Sequence, residues 1–244
     1  KPNGSRISGH FVDDLLSGEG EMVDIHSRFI GTFDRNDFVK GTFIMHGGSS
    51  VYKGCFRNNE FSDSEGEWAD AYETYNGGFE RGLREGEGTC LYSEGEKYVG
   101  QWKRGSREGR GVLKKSEEIV YSGDWKAGKY HGLGVLKVDA STIYDGCFAN
   151  GLYSGFGKLV LAHRKTTECE WRAGRMSDGA ATISFVDGSV FTGEIVDGVP
   201  NGHGIIKYAN NDVYDGELRG GRREGVGRCI FANGEEYNGD WIND

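Results

Sequence analysis

Apolar and polar positions alternate along this chain in short runs, and the runs repeat. The clearest stretch places Tyr98, Gly100 and Trp102 at alternate positions with polar residues between them, followed by Gly105, Gly109, Gly111 and the apolar Leu113. The same spacing returns at Tyr121, Gly123, Trp125, Gly128, Gly132 and Gly134, and again at Tyr144, Gly146, Phe148, Gly151, Gly155 and Gly157. Aligned on the leading aromatic, the repeats start at Ile7, Phe29, Tyr52, Tyr75, Tyr98, Tyr121, Tyr144, Thr167, Phe191, Tyr214 and Tyr237, in steps of 22 to 24 residues. A period this regular marks a repeat array, in which each unit contacts mainly its neighbours.

Positions are counted here from the leading aromatic as zero. Alternate spacing puts positions 0, 2 and 4 on one face of a strand, with the glycine at position 2 leaving room for the rings. A glycine-rich turn, Lys103 to Gly109, is expected next, and the Gly-x-Gly pair is expected to open a second strand. Position 15 on that strand is apolar in Met22, Ile44, Cys90, Leu113, Leu136, Leu159, Ile206 and Cys229. Turn signals such as Ser93-Glu94-Gly95, Val186-Asp187-Gly188 and Ala232-Asn233-Gly234 close the units. The expected fold is all-β: a single-layered, elongated, twisted sheet of consecutive β-hairpins, rising about 10 Å per repeat into a rod about 100 Å long. Turns this close together leave no room for a useful helix.

These repeats resemble the MORN (membrane occupation and recognition nexus) family, whose consensus is Tyr-x-Gly-x-Trp-x-x-Gly-x-x-x-Gly-x-Gly. The resemblance covers Ile7 to Trp241 within one continuous array, 1–244, with well-formed repeats over 75–166 and 191–244, the last of them partial. The repeats over 7–74 and 167–190 are degenerate: Asn36, Asn59, Asp63 and Glu65 stand where glycine is expected, as do Cys169, Asp178 and Ala180 around Trp171.

Composition narrows the partners. The 42 glycines are phased with the repeat, and with only 2 prolines the chain is not a disordered linker. A net charge of −9 disfavours nucleic acid and weakens the case for an anionic membrane surface. The longest apolar stretch, around Leu159 to Ala162, is far short of a membrane span, and no signal peptide is evident.

Candidate chemistry is sparse. Gly123 to Lys129 approaches a phosphate-binding loop, but Tyr130 replaces the required hydroxyl residue, and the repeat explains the segment. Cys55 and Cys147 occupy equivalent positions four units apart, and Cys90 and Cys229 six units apart, so neither pair is expected to form a disulfide. Free thiols suit an intracellular, reducing setting, against which the sequon Asn3-Gly4-Ser5 weighs little. The histidines His10, His26, His46, His131, His163 and His203 lie in different units without ligand spacing. No catalytic set, metal or cofactor is expected.

Two faces and one edge remain. A single layer is expected to leave its aromatic face open as a groove for a protein partner, an extended or helical segment as the resemblance implies. Its residues are Tyr75, Phe79, Tyr92, Tyr98, Trp102, Tyr121, Trp125, Tyr144, Phe148, Phe191, Tyr208, Tyr214 and Phe231, with Tyr92 and Tyr208 expected at a partly exposed rim. On the opposite face, acidic positions (Asp124, Asp145, Glu168, Glu170, Glu194, Asp215, Glu217 and Asp240) and basic ones (Lys114, Lys137, Lys158, Lys207 and Arg228) are expected to pair across strands. Arg81, Arg84, Arg104, Arg107, Arg222 and Arg223 cluster in the first turns, where the resemblance suggests phosphoinositide headgroups as ligands, although the interleaved glutamates oppose it.

The leading expectation is a non-enzymatic scaffold in a cytoskeletal, ciliary or cortical assembly. Its rivals are a peripheral lipid-binding module and, as the resemblance implies, the regulatory array of a larger lipid kinase or lysine methyltransferase. Homo-oligomers or larger complexes are expected through the sheet edges, with the strand beginning at Tyr237 covered by another chain or by further sequence.

Overall fold

The computed structural model describes residues 5–161 and 165–244. The sequon at Asn3 to Ser5 and the histidine at position 163 fall wholly or partly outside them. The protein is all-β, a succession of antiparallel hairpins, and the described residues hold no α-helix, only a single 3-10 turn at His46–Gly48. The strands fall into two compact units, Lys1–Lys129 and Tyr130–Asp244.

The first unit contains β1 (Arg6–Val12), β2 (Leu15–Val23), β3 (Ser27–Asp34), β4 (Asp37–Met45), β5 (Ser50–Arg57), β6 (Glu60–Phe61), β7 (Asp63–Asp70), β8 (Glu73–Glu80), β9 (Leu83–Tyr92), β10 (Glu96–Lys103), β11 (Ser106–Lys115) and β12 (Glu118–Lys126). The second begins within β13 (Lys129–Lys137) and continues through β14 (Ile143–Ala149), β15 (Leu152–Val160), β16 (Thr166–Arg172), β17 (Arg175–Ser184), β18 (Val190–Val196), β19 (Val199–Lys207), β20 (Val213–Arg219), β21 (Arg222–Ile230) and β22 (Glu236–Trp241).

The hairpin turn is tighter than the glycine spacing suggested. Instead of a seven-residue loop from Lys103 to Gly109, the chain reverses on two residues, Arg104 (φ 48°) and Gly105 (φ 80°), and β11 starts at once. Two successive left-handed residues fit the right-handed twist of the flanking strands. The later Gly-x-Gly therefore lies inside the second strand. Register pairs Gly100 with Gly111 and then Trp102 with Arg107, so a bulge absorbs the remaining residues.

Glycine is required at that pairing by contact. A Cβ on Gly111 would fall onto the hydroxyl of Tyr98, whose ring lies across the strand pair and donates its O–H to the carbonyl of Gln101 at 2.9 Å. Position 15 then sits between successive leading rings: Leu113 faces Tyr98 on one side and Tyr121 on the other.

The degenerate repeats keep the geometry by shifting register. Asn36 (φ 74°) and Asn59 (φ 61°) hold the left-handed turn position that glycine holds elsewhere, a conformation asparagine tolerates better than most residues. In the third repeat an extra residue moves Gly66, not Glu65, opposite Gly77. Asp63, which stays opposite Phe79, accepts the N–H groups of Cys55 at 2.8 Å and Glu65 at 3.1 Å. In the eighth, Gly179 and Ala181 take the places assigned by period to Asp178 and Ala180. In the second, Phe43 rather than Ile44 pairs with Phe29 and Tyr52.

Candidate functional site

The aromatic positions stack against one another. Tyr98 meets Trp102 of its own repeat edge-on at 5.2 Å and Trp125 of the next at 5.1 Å. Tyr75 makes the same two contacts with Phe79 and Trp102, and in the second unit Tyr144 makes them with Phe148 and Trp171. Each edge-to-face pair contributes about 0.5–1.5 kcal/mol beyond the area it buries. The indole N–H reaches back along the array: Trp125 donates to the carbonyl of Gly111 at 3.1 Å and Trp171 to that of Gly157 at 3.1 Å.

The ladder also covers itself, which corrects the expectation of an open aromatic groove. Tyr75, Tyr98, Tyr121, Tyr144, Phe191 and Tyr214 are fully buried, and Phe79, Trp102, Trp125 and Phe148 almost so. The cover comes from position 9, just past the turn, which lays a side chain over the leading ring. Phe38 stacks on Phe29 at 4.2 Å, Phe61 on Tyr52 at 4.0 Å and Tyr153 on Tyr144 at 3.7 Å.

In three other repeats the cover is a guanidinium. Arg84 lies 4.7 Å from the ring centre of Tyr75 and 5.0 Å from that of Trp102. Arg107 lies 5.1 Å from Tyr98 and 5.0 Å from both Trp125 and Tyr92. Arg223 lies 4.1 Å from Trp241 and is paired with Asp244 at 3.1 Å. Flat cations on ring faces contribute about 0.5–2 kcal/mol each.

Of the six turn arginines that were candidates for lipid headgroups, Arg84, Arg107 and Arg223 lie against the ladder's rings, and Arg84 is further held by an ion pair with Glu73. Arg81, Arg104 and Arg222 are exposed. The glutamates that follow these half-buried arginines are also structural. Glu85 accepts the backbone N–H of Arg104 at 2.9 Å, and Glu108 that of Ala127 at 2.8 Å. At the expected rim, Tyr92 is half-buried and its hydroxyl accepts Arg107 Nε at 3.3 Å; Tyr208 is half-buried, and Phe231 is 36% exposed.

Burial sets the acidity of this core. It pushes the phenol of Tyr75 up to about 12 and those of Tyr52, Tyr98 and Tyr144 higher still. The thiol of Cys90, enclosed beside Glu73, is pushed up to about 11. A thiol so far from ionisation is a poor nucleophile. Cys55, Cys90, Cys147, Cys169 and Cys229 are all free. Among the described residues no three acidic, histidine or cysteine side chains come together as a metal site, and no helix is long and apolar enough to cross a membrane.

The opposite face is open. In the first unit its charges pair across strands: Lys53 with Glu67 at 3.7 Å and Arg110 with Asp124 at 3.8 Å. In the second unit Lys158 pairs with Glu168 at 2.7 Å and Arg228 with Glu236 at 2.6 Å. There, however, the residue inside Gly-x-Gly is often apolar and exposed: Leu133 at 65%, Phe156 at 59% and Val226 at 59%. Sequence reasoning missed these three, although each is readable as the one apolar residue between two glycines.

The MORN repeat family model matches residues 8–24, 75–97, 98–116, 121–137, 144–162, 191–213 and 214–236. No curated protein matches the chain. Among solved structures, one match is the SAS-4 (dCPAP) TCP domain of Drosophila melanogaster, in complex with a proline-rich motif of Ana2 (dSTIL). It is 12% identical, with a TM-score of 0.32, over 75% of this chain and 88% of that one. The matched repeats span more than half of the sequence and coincide with the hairpins whose rings, glycines and turns are described above, so the chain belongs to the MORN repeat family.

Proposed function

We propose that this chain is a non-enzymatic scaffold that binds protein partners, as extended or helical segments, within an intracellular cytoskeletal, ciliary or cortical assembly. The observation behind this reading is where the aromatic residues go. Burying Tyr98 and its equivalents at 0% exposure against neighbouring repeats makes each hairpin the support of the next. The outward side chains are thereby held on strands in fixed register. Such a surface suits an elongated partner better than a small substrate.

The test is cross-linking mass spectrometry on the full-length protein isolated from its own cells. Cross-links from a cytoskeletal partner to strand residues on an open face are the expected result. Cross-links confined to a catalytic domain elsewhere in the full-length protein would overturn it in favour of a regulatory array. The lipid reading keeps one specific support, the exposed Arg81, Arg104 and Arg222. Vesicle binding lost when these three become glutamate, with no protein cross-link, would favour that reading instead.

A further inference from the structure

The open face of the second unit carries a line of side chains whose chemistry differs from that of the first. Register sets Leu133 opposite Cys147, Phe156 opposite Glu170, Ala180 opposite Glu194, His203 opposite Glu217 and Val226 opposite Asp240. The line continues across each hairpin, because the acidic position also lies beside the glycine preceding the next member. A Cβ on Gly202 would sit 3.3 Å from Cβ of Glu194, and one on Gly225 would sit 3.4 Å from Cβ of Glu217. From Glu170 onward an acidic side chain thus returns every two strands, about 10 Å, alternating with Phe156, Ala180, His203 and Val226.

The acids on this line are not neutralised where they stand. Glu170, Glu194, Glu217 and Asp240 are exposed, face apolar, alanine or histidine partners across the strand, and have no ion pair among the described residues. The equivalent acid of the first unit, Asp124, faces Arg110. Phe156 and Val226 are each 59% exposed, unusual for such side chains in the middle of strands.

We propose that this line docks a basic, amphipathic segment of a protein partner, whose lysine or arginine side chains meet the carboxylates while its apolar residues cover Phe156 and Val226. The inference rests on the scaffold reading and names its surface. Charge selects the occupant. A second copy of a chain with net charge −9, a nucleic acid or an anionic membrane would each bring like charge to this face. Apolar cover accounts for the exposed side chains, which a purely ionic ligand would leave in water.

The probe is a fluorescein-labelled synthetic 18-residue peptide of lysine and leucine, titrated into the whole chain by anisotropy. Its controls are the same peptide with glutamate for lysine, and a lysine–serine peptide lacking the apolar residues. The lysine–leucine peptide is expected to bind, weakening as salt is raised. Affinity should fall at least tenfold in Glu170→Lys with Glu217→Lys, and at least fivefold in Phe156→Ser with Val226→Ser, while Arg104→Glu with Arg222→Glu leaves it unchanged. All three pairs are exposed, so circular dichroism should show each variant folded. Equal binding of the lysine–serine peptide would overturn the apolar half of the proposal, and unchanged affinity in the Glu170/Glu217 variant would overturn the site. Partner cross-links that map to another face would remove this inference while leaving the scaffold reading intact.

Discussion

The repeats led by Tyr98 and by Thr167 solve one packing problem in opposite ways. Around Tyr98 a large ring lies over bare backbone, with Gly100 and Gly111 paired beneath it. Around Thr167 there is no ring, and the two glycine places hold Cys169 and Ala181, paired and buried, with Ile183 alongside. Trp171 keeps its edge-on contact with Tyr144 of the preceding repeat, at 5.4 Å, and is 5% exposed. The family's glycines are therefore not required by the strands themselves. They are the space a tyrosine occupies, and when the tyrosine leaves, side chains move in to keep the interior filled.

The largest expected effect comes from breaking one half of this exchange. Tyr98→Thr should cost about 3–5 kcal/mol in urea unfolding, since it empties a ring-sized volume. Gly111→Ala alone should cost about 1–3 kcal/mol, because the new methyl meets the Tyr98 hydroxyl. The two together should cost less than their sum by at least about 1 kcal/mol, the signature of residues sharing one space. Strict additivity would reject the volume argument.

In the opposite repeat, Ala181→Gly removes only a methyl and should cost about 1 kcal/mol. A larger loss than in Gly111→Ala would reverse the comparison. Arg107→Ala should cost about 0.5–2 kcal/mol, with Arg107→Phe recovering most of it, since Phe38 and Phe61 fill the same position elsewhere.

A further effect is a pH dependence carried by the phenols of the tyrosine-led repeats. Burial raises Tyr75 to about 12, whereas an unfolded tyrosine ionises near 10. Ionisation thus favours the unfolded chain, so stability holds below about pH 10 and declines as pH rises toward 12. Absorbance of the buried phenols that appears together with loss of near-ultraviolet dichroism is the expected result; complete phenolate formation near pH 10 in a chain still folded would contradict it.

The fold was legible because its period is imposed by a hard contact, ring against glycine, that leaves the same mark in each well-formed repeat. The turns were less so: Arg104 in a left-handed conformation gives no sign in composition, and only Gly105 beside it hints at the two-residue reversal. Register in the degenerate repeats was not legible where a single extra residue, between Asp63 and Gly66 or between Met176 and Gly179, moves the strand by one, a shift that counting along the chain cannot place. The cover over the aromatic face was missed for a different reason. Phe38, Arg84 and Tyr153 share a position but no residue class, and what unites them is a flat group of similar reach.

The turns carry a consequence for how the chain comes to be folded. The second turn residue of one repeat donates its N–H to the carbonyl at position 9 of the repeat before it: Gly105 to Arg84, Gly128 to Arg107 and, in the second unit, Gly174 to Tyr153. Each of these bonds closes a loop of about twenty residues, so the entropy lost in forming one is nearly the same wherever it forms. A nascent chain leaving the ribosome can therefore lock each hairpin onto its predecessor as it emerges, without waiting for distant sequence. Order is passed along the chain one turn at a time.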